Sequence, residues 1–197
     1  MRRAEQREQT RQALVRESRR LFATLGYGAV GLSQIVAAAG VTKGALYHHF
    51  DGKADVFRAV LEQVQQEVAE QVVTAAEAEA TSWARLTAGC RAFLTASTAP
   101  QVQRIMLVDG PAVLGWAQWR ALDEAASARH LAEALADLVA DGTIAAQPVA
   151  PLAHLLSGAM NEAALWLATT PSPYALEQTW AALARMLDGL RPTPPGR

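Results

Sequence analysis

Between Ser33 and Lys53 the chain sets out hydrogen-bond donors in a pattern suited to a polyanion. Thr42 is placed to cap a short helix running to Phe50. Ala45, Leu46 and Phe50 then fall on its inner side, and Thr42, Lys43, Gly44, Tyr47, His48 and His49 on its outer side. Gly44 removes a side chain and lets the backbone come close to a partner, while the helix dipole and free amides favour a phosphate there. Lys43 can donate to guanine O6 and N7 or to a phosphate. Tyr47 and His48 suit a phosphate oxygen or a thymine methyl. Lys53 lies beyond the short helix, so its expected partner is a phosphate and not a base.

Such a face needs elements to hold it. Arg11 to Leu25 carries Leu14, Val15, Leu21, Phe22 and Leu25 at helical spacing, with Ser18 as a small residue on the same face and arginines opposite. Gly26-Tyr27-Gly28 interrupts it. A short helix follows with Leu32, Ile35, Val36 and Ala39 facing inward, capped at Gly31 or Ser33 and closed by Gly40. Two short helices across a tight glycine turn have the layout of a helix-turn-helix that reads duplex DNA. Asp51-Gly52 turns the chain into a long amphipathic helix from Lys53 to about Ala80, marked by Val56, Phe57, Val60, Leu61, Val64, Val68 and Val72.

Nothing further on reads as a strand. Helices are expected from Thr81-Ser82 to about Ala99-Pro100 and from Gln101 to Val108. After a break at Asp109-Gly110-Pro111, a long one runs from about Ala112 or Trp116 to Asp141-Gly142. Pro148 and Pro151 open the next, which stops at Thr170-Pro171, and Ser172-Pro173 open the last, ending near Leu190. The predicted fold is all-α with about nine helices: a three-helix head over residues 1–52, a helical body over 53–190, and a proline-rich tail, 191–197, expected to fray.

Composition fits a globular chain of 197 residues, 51% hydrophobic and 19% charged. Its net charge of −1 hides a division. Residues 1–58 hold ten Lys and Arg against five Asp and Glu, and the remainder is acidic and holds all five tryptophans. A basic head on an acidic body points the head at a polyanion. No apolar run is long enough to span a bilayer. The N-terminus lacks the apolar stretch of a signal peptide, and one cysteine, Cys90, forms no internal disulfide, so the expected location is cytoplasmic.

The stretch from Ile35 to Lys53, IVAAAGVTKGALYHHFDGK, resembles the signature of the TetR family of bacterial regulators, and the resemblance covers about residues 10–60. It implies that Thr42, Lys43, Gly44, Tyr47, His48 and Lys53 contact DNA. Where the family usually has Ser or Thr this chain has Gly31, so one hydroxyl contact and cap is missing, with Ser33 as a substitute. The resemblance implies a homodimeric repressor on a near-palindromic operator, with a helical body that binds a small, largely apolar effector and dimerises through its last two helices. Leu152, Leu156, Ala159, Ala163 and Leu167, with Trp180, Leu183 and Leu187, form two apolar seams that serve either that dimer or their own core. Candidate pocket residues are Phe93, Met106, Trp116, Trp119, Met160 and Asn161, the last being the chain's one asparagine.

Catalytic and cofactor chemistry finds little footing. Gly26, Gly28 and Gly31 match a dinucleotide fingerprint in spacing, but a helix precedes them where a strand is required. His130 and His154 are isolated, and His48 and His49 diverge by about 100° on a helix, so no metal site is expected. Cys90 reads as a small buried residue, and Asp109 as a turn or cap. Neither an enzyme nor a resident cofactor is expected. The competing reading is a helical ligand-binding protein or enzyme with a vestigial DNA-binding head.

Overall fold

The computed structural model describes residues 2–192 apart from Pro171, with side chains from Ala4 onward; the tail from Thr193 lies outside the described residues. Every regular element among them is helical. The chain forms two compact units, Met1–Val64 with Pro100–Arg120, and Gln65–Ala99 with Ala121–Arg197.

In the first unit, α1 (Arg2–Leu25) starts a good two turns ahead of the expected Arg11. Its opening turns are rich in Arg, Glu and Gln, which favour helix without needing a buried face. Local bonds such as Thr10 Oγ1 to Gln6 O support them. A single 3-10 turn at Tyr27–Ala29 leads to α2 (Leu32–Ala39), α3 (Lys43–Tyr47) and α4 (Lys53–Glu77). Leu14, Phe22, Ile35, Leu46, Phe57, Val60 and Leu61 are fully buried. Phe22, Tyr27 and Phe57 meet with ring centroids 5.2–5.6 Å apart, so the first turns of α4 are fixed onto α1 by aromatic contact.

Pro100–Arg120, read from sequence as part of the body, packs in this unit. It contains α6 (Pro100–Gln103), a π-helical turn (Arg104–Asp109), α7 (Gly110–Leu114) and the start of α8 (Trp116–Asp123). The helix does not break at Asp109-Gly110-Pro111. Pro111 sits in the first turn of α7, where a missing N–H is no loss, and the wider π register before it absorbs the change of phase. The break comes at Gly115, whose φ of 78° favours glycine. Asp109 Oδ2 accepts a 2.9 Å hydrogen bond from the Tyr27 amide, and Arg104 Nη2 donates to Leu25 O at 3.3 Å. Asp109 is therefore a tether across 82 residues and not a local cap.

The second unit holds the rest of α4, α5 (Ser82–Ser97), a π-helical turn (Glu124–Ala128), α9 (Arg129–Ala140), α10 (Val149–Thr169) and α11 (Ala175–Asp188). Thr81 caps α5 as its sequence suggests, its hydroxyl accepting from Ala84 N. The single helix expected up to Asp141 is interrupted at Ala126, whose φ of −102° and ψ of −106° leave the helical region. The last helix starts at Ala175, two residues after Pro173, with Ser172 Oγ accepting from the Tyr174 amide. Leu94, Leu135, Leu138, Ala164 and Leu187 are fully buried and define this core.

Candidate functional site

The turn between α2 and α3 is built by local chemistry. Gly31 caps α2 without a side-chain acceptor, and Gln34 Oε1 accepts from the Gly31 amide at 2.7 Å, the half of a capping box that needs no hydroxyl at the cap. Gly40 closes α2 in the left-handed region, φ 66°, and Val41 N bonds back to Val36 O at 3.0 Å. Thr42 Oγ1 accepts from Ala45 N at 3.1 Å and starts α3. Ile35, Leu46 and Phe50 anchor the pair inward.

Thr42, Lys43, Gly44, Tyr47 and His48 are all exposed, Tyr47 by 51% despite its large ring. Ser33 is exposed in the first turn of α2. A Cβ built at Gly44 meets nothing closer than Thr42 Oγ1 at 3.9 Å, so the fold itself does not require glycine there. His49 is half-buried; desolvation, with the charges of Arg7, His48 and Arg11, holds its imidazole below the ordinary histidine value.

Lys53 has partners within its own chain. Its Nζ donates to Tyr27 O at 3.0 Å and Val30 O at 2.9 Å, and lies 4.0 Å from the Tyr27 ring centroid. The half-buried ammonium is engaged by its own chain, joining the start of α4 to the loop that feeds α2. Two carbonyls and a π face engage its donors at close range.

The residues picked for a ligand pocket do not come together. Met106 and Trp119 are buried in the first unit, where Trp119 Nε1 donates to Met106 O at 2.7 Å. Trp116, in the same unit, is 66% exposed. Phe93 and Met160 do line a cavity, of about 360 Å³, in the second unit. Val72, Leu86 and Leu131 add apolar wall, and Asp123, Ser127 and Ser157 add polar groups. Asn161 stands beside it, Nδ2 donating to Asp123 Oδ2 at 3.4 Å. Sequence reading missed Ser157 and Asp123. The available signal was Ser157 and Asn161, four residues apart on an otherwise apolar helix and hence on one face.

Cys90 lines the cavity too, and burial pushes its thiol up to about 12. The native chain should therefore resist iodoacetamide near pH ~8, while the denatured chain reacts readily. Fast native alkylation measured by mass spectrometry would contradict this. The stability gained from keeping the thiol neutral is present below the ordinary thiol value and lost as pH rises through it toward about 12.

The two apolar seams are divided. Leu156, Leu183 and Leu187 are buried in their own unit, so they are closed to a partner. Leu152, Ala159, Ala163, Leu167 and Trp180 are half-buried. The open face of α10 and α11 instead carries Leu155, Trp166 and Met186, exposed by 50–70%. Among the described residues no cluster of His, Cys, Asp and Glu fit for a metal ion occurs, and no helix is long and apolar enough to cross a membrane.

Two family profiles match the chain: bacterial regulatory proteins, tetR family, over residues 14–60, and the tetracyclin repressor-like C-terminal domain over residues 83–190. The transcriptional regulator AcrR of Shigella flexneri is 38% identical over 63 residues, 32% of this chain and 29% of its own. SrpR of Pseudomonas putida is 43% identical over 58 residues, 29% of this chain and 27% of its own. The chain thus spans under a third of the length of these curated relatives. A crystal structure of a TetR-family transcriptional regulator from Pectobacterium atrosepticum matches at 34% identity and a TM-score of 0.80, covering 97% of this chain and 98% of that one. RolR in complex with resorcinol shares the fold, with a TM-score of 0.73 and 18% identity over 98% of both chains. A profile on more than half of the residues and a family structure matched nearly end to end show that this chain belongs to the tetR family of bacterial regulators.

Proposed function

We propose that the chain is a homodimeric, DNA-binding transcriptional repressor of the cytoplasm, released from its operator by a small ligand held in the second unit. The observation that carries the reading is the α3 face: Lys43, Tyr47 and His48 project with no packing role, around a glycine the fold does not need. In a two-fold dimer, paired α3 helices would enter successive major grooves of a near-palindromic site, with half-sites ~34 Å apart. The exposed Leu155, Trp166 and Met186 supply the dimer face.

Release would run through α4, which contributes Val72, Val73, Ala76 and Glu77 to the cavity wall and Lys53 to the tether at its first residue. That a structural relative was crystallised with resorcinol supports a small effector in this family frame.

The test is a gel shift on the DNA upstream of the chain's own gene. Lys43→Ala and Tyr47→Ala should each weaken binding by about 1–3 kcal/mol, and unchanged binding in both would sink the assignment of α3. Gly44→Ala separates recognition from folding. Added helix propensity should stabilise the chain by about 0.5–1 kcal/mol, while the new methyl, lying where DNA must approach, lowers operator affinity. A Gly44→Ala chain that binds as well as the native one would remove the close-approach argument.

A further inference from the structure

Two turns of α1 stand clear of the core. Ala4 to Gln9 are exposed, and the buried face of the helix begins only at Leu14. Apolar burial therefore gives no reason for a helix to project there. The charges on it are also unlike those further along. Arg16 and Arg20 share the carboxylate of Glu17, whereas among the described residues neither Arg7 nor Arg11 has an ion pair. Glu8, between them, accepts a 3.0 Å hydrogen bond from Gln12 Nε2.

Arg7 and Arg11 are four residues apart and so share one face of α1, which is the side toward the end of α3. The Arg11 guanidinium carbon lies 5.5 Å from the Phe50 ring centroid, and that ring lies 6.3 Å from the imidazole of His49. His49 is half-buried, and besides desolvation the charges of Arg7, His48 and Arg11 act against its protonation, with Glu8 opposing them. Two elements thus bring two arginines and a histidine together beside the exposed His48. The α3 face itself is poor in permanent charge: Lys43 is the one lysine or arginine between Gly31 and Gly52. Duplex DNA presents one negative charge per ~1.7 Å of its axis. A phosphate laid across Arg7 and Arg11 would cancel the charges that keep His49 neutral and offer its ring an acceptor.

Resting on the reading of α3 as the DNA face, we infer that Arg7, Arg11 and His49 form a second phosphate site beside it, where the operator backbone is clamped and His49 takes up a proton on binding. The sign follows from linkage. The complex holds more protons than the free chain, so affinity rises as pH falls through the histidine range.

The experiment measures DNA affinity of the full chain by fluorescence anisotropy between ~50 and ~200 mM salt, on the DNA upstream of its own gene and on an unrelated duplex. Arg7→Gln should lower the slope of log K against log salt by about 0.9, and Arg7→Gln with Arg11→Gln by about 1.8. Both duplexes should show the same change, because a phosphate contact carries no sequence information. Arg7 is exposed, so the single variant should keep the native melting temperature and stays readable even if loss of the Phe50 contact weakens the double variant. Calorimetry of DNA binding in phosphate and in Tris, buffers of different ionisation heat, counts the protons taken up. His49→Gln should lose that uptake and flatten the dependence of affinity on pH between ~6 and ~8. A native salt slope in Arg7→Gln on both duplexes, or native proton uptake in His49→Gln, overturns the inference and leaves the α3 reading standing. Equal native affinity for the two duplexes would remove sequence reading by α3, while the slopes still decide the phosphate site. No DNA binding at the lowest salt overturns both.

Discussion

Lys53→Ala is expected to lower the melting temperature by about 4–8 °C and to leave the salt dependence of DNA binding as it is in the native chain. The substitution removes two charge-assisted hydrogen bonds, to Tyr27 O and Val30 O, and the contact with the Tyr27 ring. Both bonds are part-buried, and the net worth of such bonds is about 1 kcal/mol each, so the loss is about 2 kcal/mol. If Lys53 stays on its own backbone in the complex, it neutralises no phosphate and releases no counterion on binding. If Lys53 instead neutralised a phosphate, the slope of log K against log salt would fall by about 0.9. Thermal denaturation and a salt titration on one preparation decide between the two. Affinity itself should fall somewhat, because the loop feeding α2 loses its tie to α4, and that loss should be similar at every salt concentration.

The second large effect lies where Trp119 covers Gly110. Trp119 is 3% exposed, and its indole N–H is satisfied by Met106 O at 2.7 Å. Trp119→Ala should cost about 3–5 kcal/mol through cavity formation and an orphaned carbonyl. Gly110→Ala should cost about 1–3 kcal/mol, since a Cβ at that position stands 2.8 Å from Trp119 Cδ1 and 3.1 Å from Ile105 O. The two sites share the same space, so Trp119→Phe should be cheaper in the Gly110→Ala background than in the native chain. Urea unfolding of the four chains gives the coupling, and additive costs would show that the indole is not what excludes the methyl.

The parts that were legible from sequence are those fixed within a few residues. The Thr42 cap, the Gly40 turn and the inward set Ile35, Leu46 and Phe50 depend on neighbours at three to six positions, and periodicity reports that range well. The intrachain partners of Lys53 were not legible, because they lie 23 and 26 residues away, across a turn of irregular backbone. Asp109 was misjudged for the same reason, with a partner 82 residues distant. Pro111 suggested a break that the π register circumvents, a change of hydrogen-bond phase with no residue signature of its own. On α10 the apolar residues surround most of the helix, so spacing could not separate the buried Leu156 from the exposed Leu155. The cavity draws on α4, α5, α9 and α10, and only the assembled core brings Asp123 to Ser157 and Asn161.

Cys90, the chain's one cysteine, offers a practical consequence. Because its thiol is sealed and held protonated, a thiol introduced on the surface would have no competitor for a maleimide dye. In the proposed dimer, Ser33→Cys, exposed in the first turn of α2, would place one fluorophore on each head. Energy transfer between a donor and an acceptor there would follow the spacing of the heads in real time, and a change on adding a small molecule would report the proposed effector directly.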